Sequence, residues 1–216
     1  MIYRITLSYP AGSTDEVVSC ISEVGIFKDV QTIYDVVCCF KKNIFPKLKK
    51  GIKPKKVKKR TELKNVLNIH NDDGIKDLLQ LKWMAEAIKS GKHILSRGIP
   101  NVKLVKTREG QLLLFDGHHS MLAYMTAGKT YLEEIPHMII TGKEKGYVED
   151  KDIIAFYGEH ASDIEGCNWK GKVINWQAAK EKQLFKRVQK NMGELFFAIE
   201  KRVKLSMFLA GKADRL

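Results

Sequence analysis

Cysteine is scarce in this chain and long apolar runs are missing altogether. Four cysteines in 216 residues, Cys20, Cys38, Cys39 and Cys167, are too few and too irregular for a disulfide framework, which fits a reducing compartment. No stretch approaches the roughly 18–20 apolar residues that span a bilayer. The opening "MIYRITLSYPAGSTDE" has neither a basic region nor a sustained apolar one, so no leader and no membrane association are expected, and the expected location is the cytoplasm. "VVCCF" reads as a buried strand end with its thiols as small hydrophobes, a Cys38–Cys39 redox pair or soft-metal site being the alternative that no CxxC accompanies.

Several catalytic signatures are also missing. "AGKT" at Ala127–Thr130 ends like a phosphate-binding loop, but GxxxxGK[ST] needs glycine where Ala123 stands, and Gly128 follows a helical stretch where the motif needs it to precede one. HExxH is absent. His118 and His119 are adjacent and diverge by about 100° on a helix, which disfavours a shared metal, and His160 and Cys167 lack partner ligands for zinc.

What the chain does have is 44% hydrophobic residues, enough for a substantial core, and a net charge of +13. That charge is local. Between Lys41 and Lys64, twelve Lys and Arg stand against Glu62, so +11 lies in this one segment and +2 in everything else. Such a run, with Lys55, Lys56, Lys58 and Lys59 at its densest part, can hold phosphodiesters in a salt-dependent way. It is nearly all lysine, a point charge without arginine's fork, so two readings stay open, non-specific DNA contact and a solvated Lys-rich loop with no partner, and sequence reading is not expected.

Patterning predicts an α+β fold. "IYRITLS" (2–8) alternates like a strand, "STDEVVSCISEVG" (13–25) carries cap residues, early acids and a closing glycine like a helix, and "IYDVVCCF" (33–40) is β-branched enough for a second strand. Ile75, Leu78, Leu81, Ala85 and Ile88 give one helical face, ended by "SGK". "NVKLVKTREGQLLLFDG" reads as strand, turn and central strand, "HHSMLAYMTAG" as a short helix closed by Gly128, and "IPHMIITG" as another strand. Leu184, Val188, Met192, Leu195, Ile199 and Val203 recur at helical spacing, with Gly193 as a break, so a long C-terminal helix or helix pair is expected to serve packing or contact between copies. The expected division is 1–60, ending in the Lys-rich stretch, 61–145 as the core, and 146–216 as a helical extension.

The densest chemistry is "LFDGHHS", where a buried strand turns straight into a helix. The first N–H groups of a helix have no intrahelical partner and favour anions. There Gly117 admits a close backbone approach, Asp116 can cap or hold a divalent cation, and His118 and His119 can donate to phosphate or move protons near neutral pH. An ordinary Asp-Gly turn is the plain alternative.

Taken together, "KWMAEAIKSGK … IPNVKLVKTREGQLLLFDGHHSMLAYMTAGKTYLEEIPHMII" resembles the ParB/sulfiredoxin superfamily, in which a helix and a hairpin lead to a G-x-[HR]-[HR] corner, then a helix ending in glycine and an "iPv" strand. The resemblance covers roughly 75–141 and implies a mixed sheet with packed helices. The corner is most similar to the DGHHR of the archaeal free serine kinases, matched by Asp116, Gly117, His118 and His119. It implies nucleotide phosphates on Gly117, His118, His119 and Ser120, magnesium at Asp116, and His119 as a catalytic residue. It also implies a catalytic carboxylate before the hairpin, at Asp77, with Asp72 and Asp73 as alternatives. Ser120 replaces the arginine common after the histidine pair, and sulfiredoxin's cysteine is absent, so sulfinic acid reduction is not expected. Three functions remain open: a magnesium-dependent phosphotransferase using ATP or ADP on a small hydroxylated metabolite; a DNA-associated ParB-like protein, gated by a nucleotide such as CTP or acting as a nuclease; and a nucleotide-binding regulator without chemistry.

Overall fold

In the computed structural model the described residues are 2–10, 16–18, 20–26, 33–47, 56–58, 60–70, 72–155 and 189–213. The class is α+β. The strands are β1 (Ile2–Ser8), β2 (Glu16–Val18), β3 (Cys20–Ile26), β4 (Lys56–Lys58), β5 (Leu95–Ser96), β6 (Ile99–Pro100), β7 (Val102–Lys106), β8 (Leu112–Asp116) and β9 (His137–Gly142). The helices are α1 (Ile33–Cys39), α2 (Leu78–Lys89), α3 (His118–Thr126), α4 (Asp150–Ala155) and α5 (Met192–Ala213). Five strands form one mixed sheet in the order β3-β1-β9-β7-β8, with β7 and β9 parallel and the other neighbours antiparallel. The N-terminal strand β1 therefore lies inside the sheet that carries the corner, between β3 and β9.

Alternation along the strands builds two cores, one on each face. Tyr3, Ile5, Leu7, Val105, Leu113, Phe115, Met138 and Ile140 pack with Ile33, Val36, Val37 and Phe40. Val102, Leu104 and Leu114 face the other way, onto Leu81, Ala85 and Ile88 of α2, Met121 to Tyr124 of α3, and Met192, Leu195 and Ile199 of α5. The C-terminal stripe is thus core packing where it is described, while Leu184 and Val188 lie outside the described residues. Gly193, expected as a break, sits within the first turn of α5. Among the described residues no helix is long and apolar enough to cross a membrane.

Several expectations are corrected. Cys38 is exposed and Cys39 half-buried, where both were expected to be buried, because they fall off the inward face of a helix. The segment 13–25 is not a helix: where described it forms β2 and β3, and β3 pairs with the whole of β1 from Ile2↔Ile26 to Ser8↔Cys20. Its valines and isoleucines are stiff at χ1 and suit a pleated surface, and this pairing outweighs the cap-like residues ahead of it. The segment 33–40 is not a strand. It forms α1 and runs into a π-helical turn over Phe40–Ile44, because Ile33, Val36, Val37 and Phe40, spaced i, i+3, i+4, i+7, are its buried positions.

Candidate functional site

The hairpin of β7 and β8 delivers the corner. Leu113 and Leu114 are fully buried on opposite faces, yet β8 is the last strand in the sheet order and not the central one that its apolar run suggested: helices and the 67–70 segment cover it, so burial on both faces did not require a central place. Gly117 then adopts φ +93° and α3 starts at His118, the N-cap glycine making no side-chain cap hydrogen bond. The left-handed turn needs glycine for a second reason. A Cβ there would lie 2.3 Å from the carbonyl oxygen of Asn101 and 2.9 Å from Cα of Val102. The close backbone approach expected at Gly117 is therefore made by the start of β7.

The corner residues then divide. Lys103 on β7 is 4% exposed, and its ammonium donates to Asp116 at 2.5 Å and to the Asn101 carbonyl at 3.0 Å. A register shift between Lys103 and Leu104 is what sets Lys103 opposite Asp116. The Asp116 carboxylate also acts on Lys41 and Tyr34 around α1. Burial, with the charge of Lys103, lowers the Lys41 pKa, and Asp116 opposes that shift. One oxygen of Asp116 is thus held by a buried cation. This set, with its two lysines, does not fit a magnesium site, and among the described residues no group of three His, Cys, Asp or Glu could hold a metal ion.

The histidines belong to the other group. His118 is buried and its ring meets that of His70 edge to face, with centroids 4.0 Å apart and planes at 86°. Burial pushes the His118 pKa well below its ordinary value, and the neighbouring His70 and His119 add to this, so the ring is neutral. His119 is lowered by burial too, and the charge of Asp77 works against that shift. The Nε2 atoms of both His118 and His119 are buried without a hydrogen-bond partner among the described residues. Asp77 caps α2, with Oδ1 accepting from the Gln80 N–H at 2.7 Å, and its residue is exposed. Ser120 is buried at 3% exposure, on the inward side of the first turn.

His70 is the member that sequence reasoning missed. Its segment lies along β8 as an extra edge: the Leu67 N–H donates to the Leu112 carbonyl at 2.8 Å, and Leu67 accepts from Leu114 at 2.9 Å. Asn68, buried at 1%, then braces the turn, accepting from the His70 N–H at 3.0 Å and donating to the Gln189 carbonyl at 2.8 Å. A lone histidine in "NIHNDDG" carries no spacing signal toward residue 118. The alternatives to Asp77 fare differently. Asp72 is occupied by Gln189, which donates to its Oδ1 at 3.1 Å, and nothing is described of the Asp73 side chain.

The chain matches no family model, no curated protein and no solved structure. Its function is therefore argued from these residues. Lys56 and Lys58 lie on β4, paired with β2, and Lys58 is exposed, while Lys55 and Lys59 fall outside the described residues. A cleft of about 350 Å³ beside β9 and α4, lined by Tyr3, Lys145, Tyr147, Glu149 and Asp152, holds none of the corner residues. Glu149 there is already paired with Arg108 at 2.8 Å and with Lys145. What the corner offers, among the described residues, is a helix start whose N-cap glycine makes no side-chain cap bond, two imidazoles of lowered pKa whose buried Nε2 atoms lack a partner, and the carboxylate of Asp77, whose charge acts on His119 from the start of α2. That set can bind a polyanion and remove a proton from a hydroxyl brought beside it.

Proposed function

We propose that this chain is a cytoplasmic phosphotransferase that binds the phosphates of ATP or ADP at the start of α3 and passes a phosphoryl group to the hydroxyl of a small metabolite. The observation that supports the reading is that α2 and α3 pack in one core with Asp77 at the start of one and His119 in the first turn of the other, where the charge of Asp77 acts on His119 and the N-cap glycine makes no side-chain cap bond. Phosphoryl transfer asks the protein mainly for positioning and charge stabilisation. Under this reading the N–H groups of the first turn of α3 hold phosphate oxygens, and His119, as a neutral imidazole, donates to one of them. Asp77 accepts the proton of the acceptor hydroxyl as its oxygen bonds to the terminal phosphorus, and the bond to the bridging oxygen breaks to release the shortened nucleotide. Magnesium arriving with the nucleotide would supply neutralisation of phosphate charge, and Asp116, held by Lys103, has no part in the step.

Calorimetry with ATP, ADP, CTP and GTP, with and without magnesium, followed by a transfer screen against hydroxylated metabolites, tests the reading. His119→Ala is expected to weaken nucleotide binding about 10-fold or more, the loss of a hydrogen bond to a charged group. Asp77→Asn should leave binding in place and reduce transfer about 100-fold or more. Wild-type nucleotide affinity in folded His118→Ala and His119→Ala proteins would refute the site. Binding without turnover on any acceptor would favour the regulator, and salt-dependent DNA retention gated by CTP the ParB-like alternative.

A further inference from the structure

The element that carries Asp77 is held from the far end of the chain. Between His70 and α2 the backbone makes a 3₁₀ turn over Asp72–Gly74, with the Ile75 N–H donating to the Asp72 carbonyl at 3.1 Å. The guanidinium of Arg202, on α5, donates from Nη1 to that same Asp72 carbonyl and, at 3.3 Å, to the carbonyl of Ile75. Gln189, just ahead of α5, donates to the Asp72 carboxylate at 3.1 Å. Gln189 is itself tied to the histidine segment through Asn68, and the Asn68 N–H donates to the Lys190 carbonyl at 3.1 Å. The Met192 N–H closes the same joint on the Val66 carbonyl at 2.9 Å.

We propose that Arg202, assisted by Gln189, is a positioning residue that locks the 72–75 turn and thereby sets Asp77 against the start of α3. The inference rests on the reading of Asp77 as the base. Only Lys76 separates the carbonyl that Arg202 holds from Asp77, so a shift of the turn passes directly to that carboxylate. A guanidinium suits the task because its Nη1 carries two N–H donors, one for each carbonyl, and being permanently charged it does so at any working pH. Ile199 and Leu195, one and two turns earlier, are buried in the core beneath α3, so Arg202 projects from a helix that is itself anchored. The C-terminal helix thus enters the site's geometry through the turn it braces.

The experiment follows His119 by NMR, with histidine labelled in the full-length protein. The charge of Asp77 raises the His119 titration midpoint, so in Arg202→Gln that midpoint should fall toward the value seen in Asp77→Asn. kcat should fall about 10–100-fold while the Kd for nucleotide stays within about twofold, since misplaced geometry costs the chemical step and spares binding. Arg202→Lys, which keeps a charged donor, should recover most of both. If Arg202→Gln does not fold, Gln189→Ala removes the second clamp and should move the same two readouts in the same directions. A lowered melting temperature with an unmoved His119 midpoint and unchanged kcat would overturn the proposal, leaving Arg202 a purely structural contact. The midpoint is read without turnover. Turnover that persists in Asp77→Asn therefore marks failure of the reading of Asp77 as the base, and an unmoved midpoint in the clamp variants marks failure of this one.

Discussion

Gly117→Ala separates the two uses a glycine can have at this corner. At φ +93° an L-residue carries the left-handed penalty of about 1–2 kcal/mol. The new methyl would stand 2.3 Å from the Asn101 oxygen, where ordinary contact begins near 3.4 Å, so the start of β7 would have to retreat by about 1 Å. That start is not free to move. Val102 is buried and in parallel register with His137, and Lys103 is locked to Asp116. Forced overpacking of this kind costs a further 1–3 kcal/mol or so, for a total of about 2–5 kcal/mol. For a chain of this length the melting temperature should drop by about 5–15 °C. Gly128→Ala is the control, since Gly128 has a similar φ of +86° at the end of α3 with nothing within 4 Å of a Cβ, and should lose only the backbone share. Thermal and urea unfolding of both variants measure the difference. If Gly117→Ala proves as stable as Gly128→Ala yet loses nucleotide affinity, the glycine serves a ligand and the steric argument is wrong.

Two further outcomes are expected. His118 and His137 are both buried with pKa values lowered chiefly by burial, so near and below pH 6.5 the unfolded chain binds protons that the folded chain refuses; stability should be full above about pH 7 and fall as pH drops to 5. Urea midpoints across that range should show the slope, and a slope unchanged in His118→Gln would remove His118 as a source. In the Lys-rich segment, replacing Lys55, Lys56, Lys58 and Lys59 together by Gln should weaken DNA retention and flatten its salt dependence while sparing nucleotide binding; equal retention by both proteins would end the DNA reading of that segment.

By itself the sequence determined the elements whose signals are local. The β7–β8 hairpin was legible because "REG" interrupts two apolar runs, α2 because its apolar residues recur at three and four and "SGK" stops them, and α3 because Gly128 ends it in the left-handed conformation that an L-residue resists. The helical spacing of Ile33, Val36, Val37 and Phe40 was present too, but β-branched composition pointed the other way, and only the core beneath the sheet decided for the helix. The corner announced itself as titratable without saying how it was divided. Whether Asp116 faces the histidines or a lysine depends on a register shift in a pairing, and a one-residue change of register reverses the face of every side chain beyond it. That His70 meets His118, 48 positions away, and that Arg202 braces a turn 127–130 positions earlier, follows from which surfaces pack, and no local period encodes such distances.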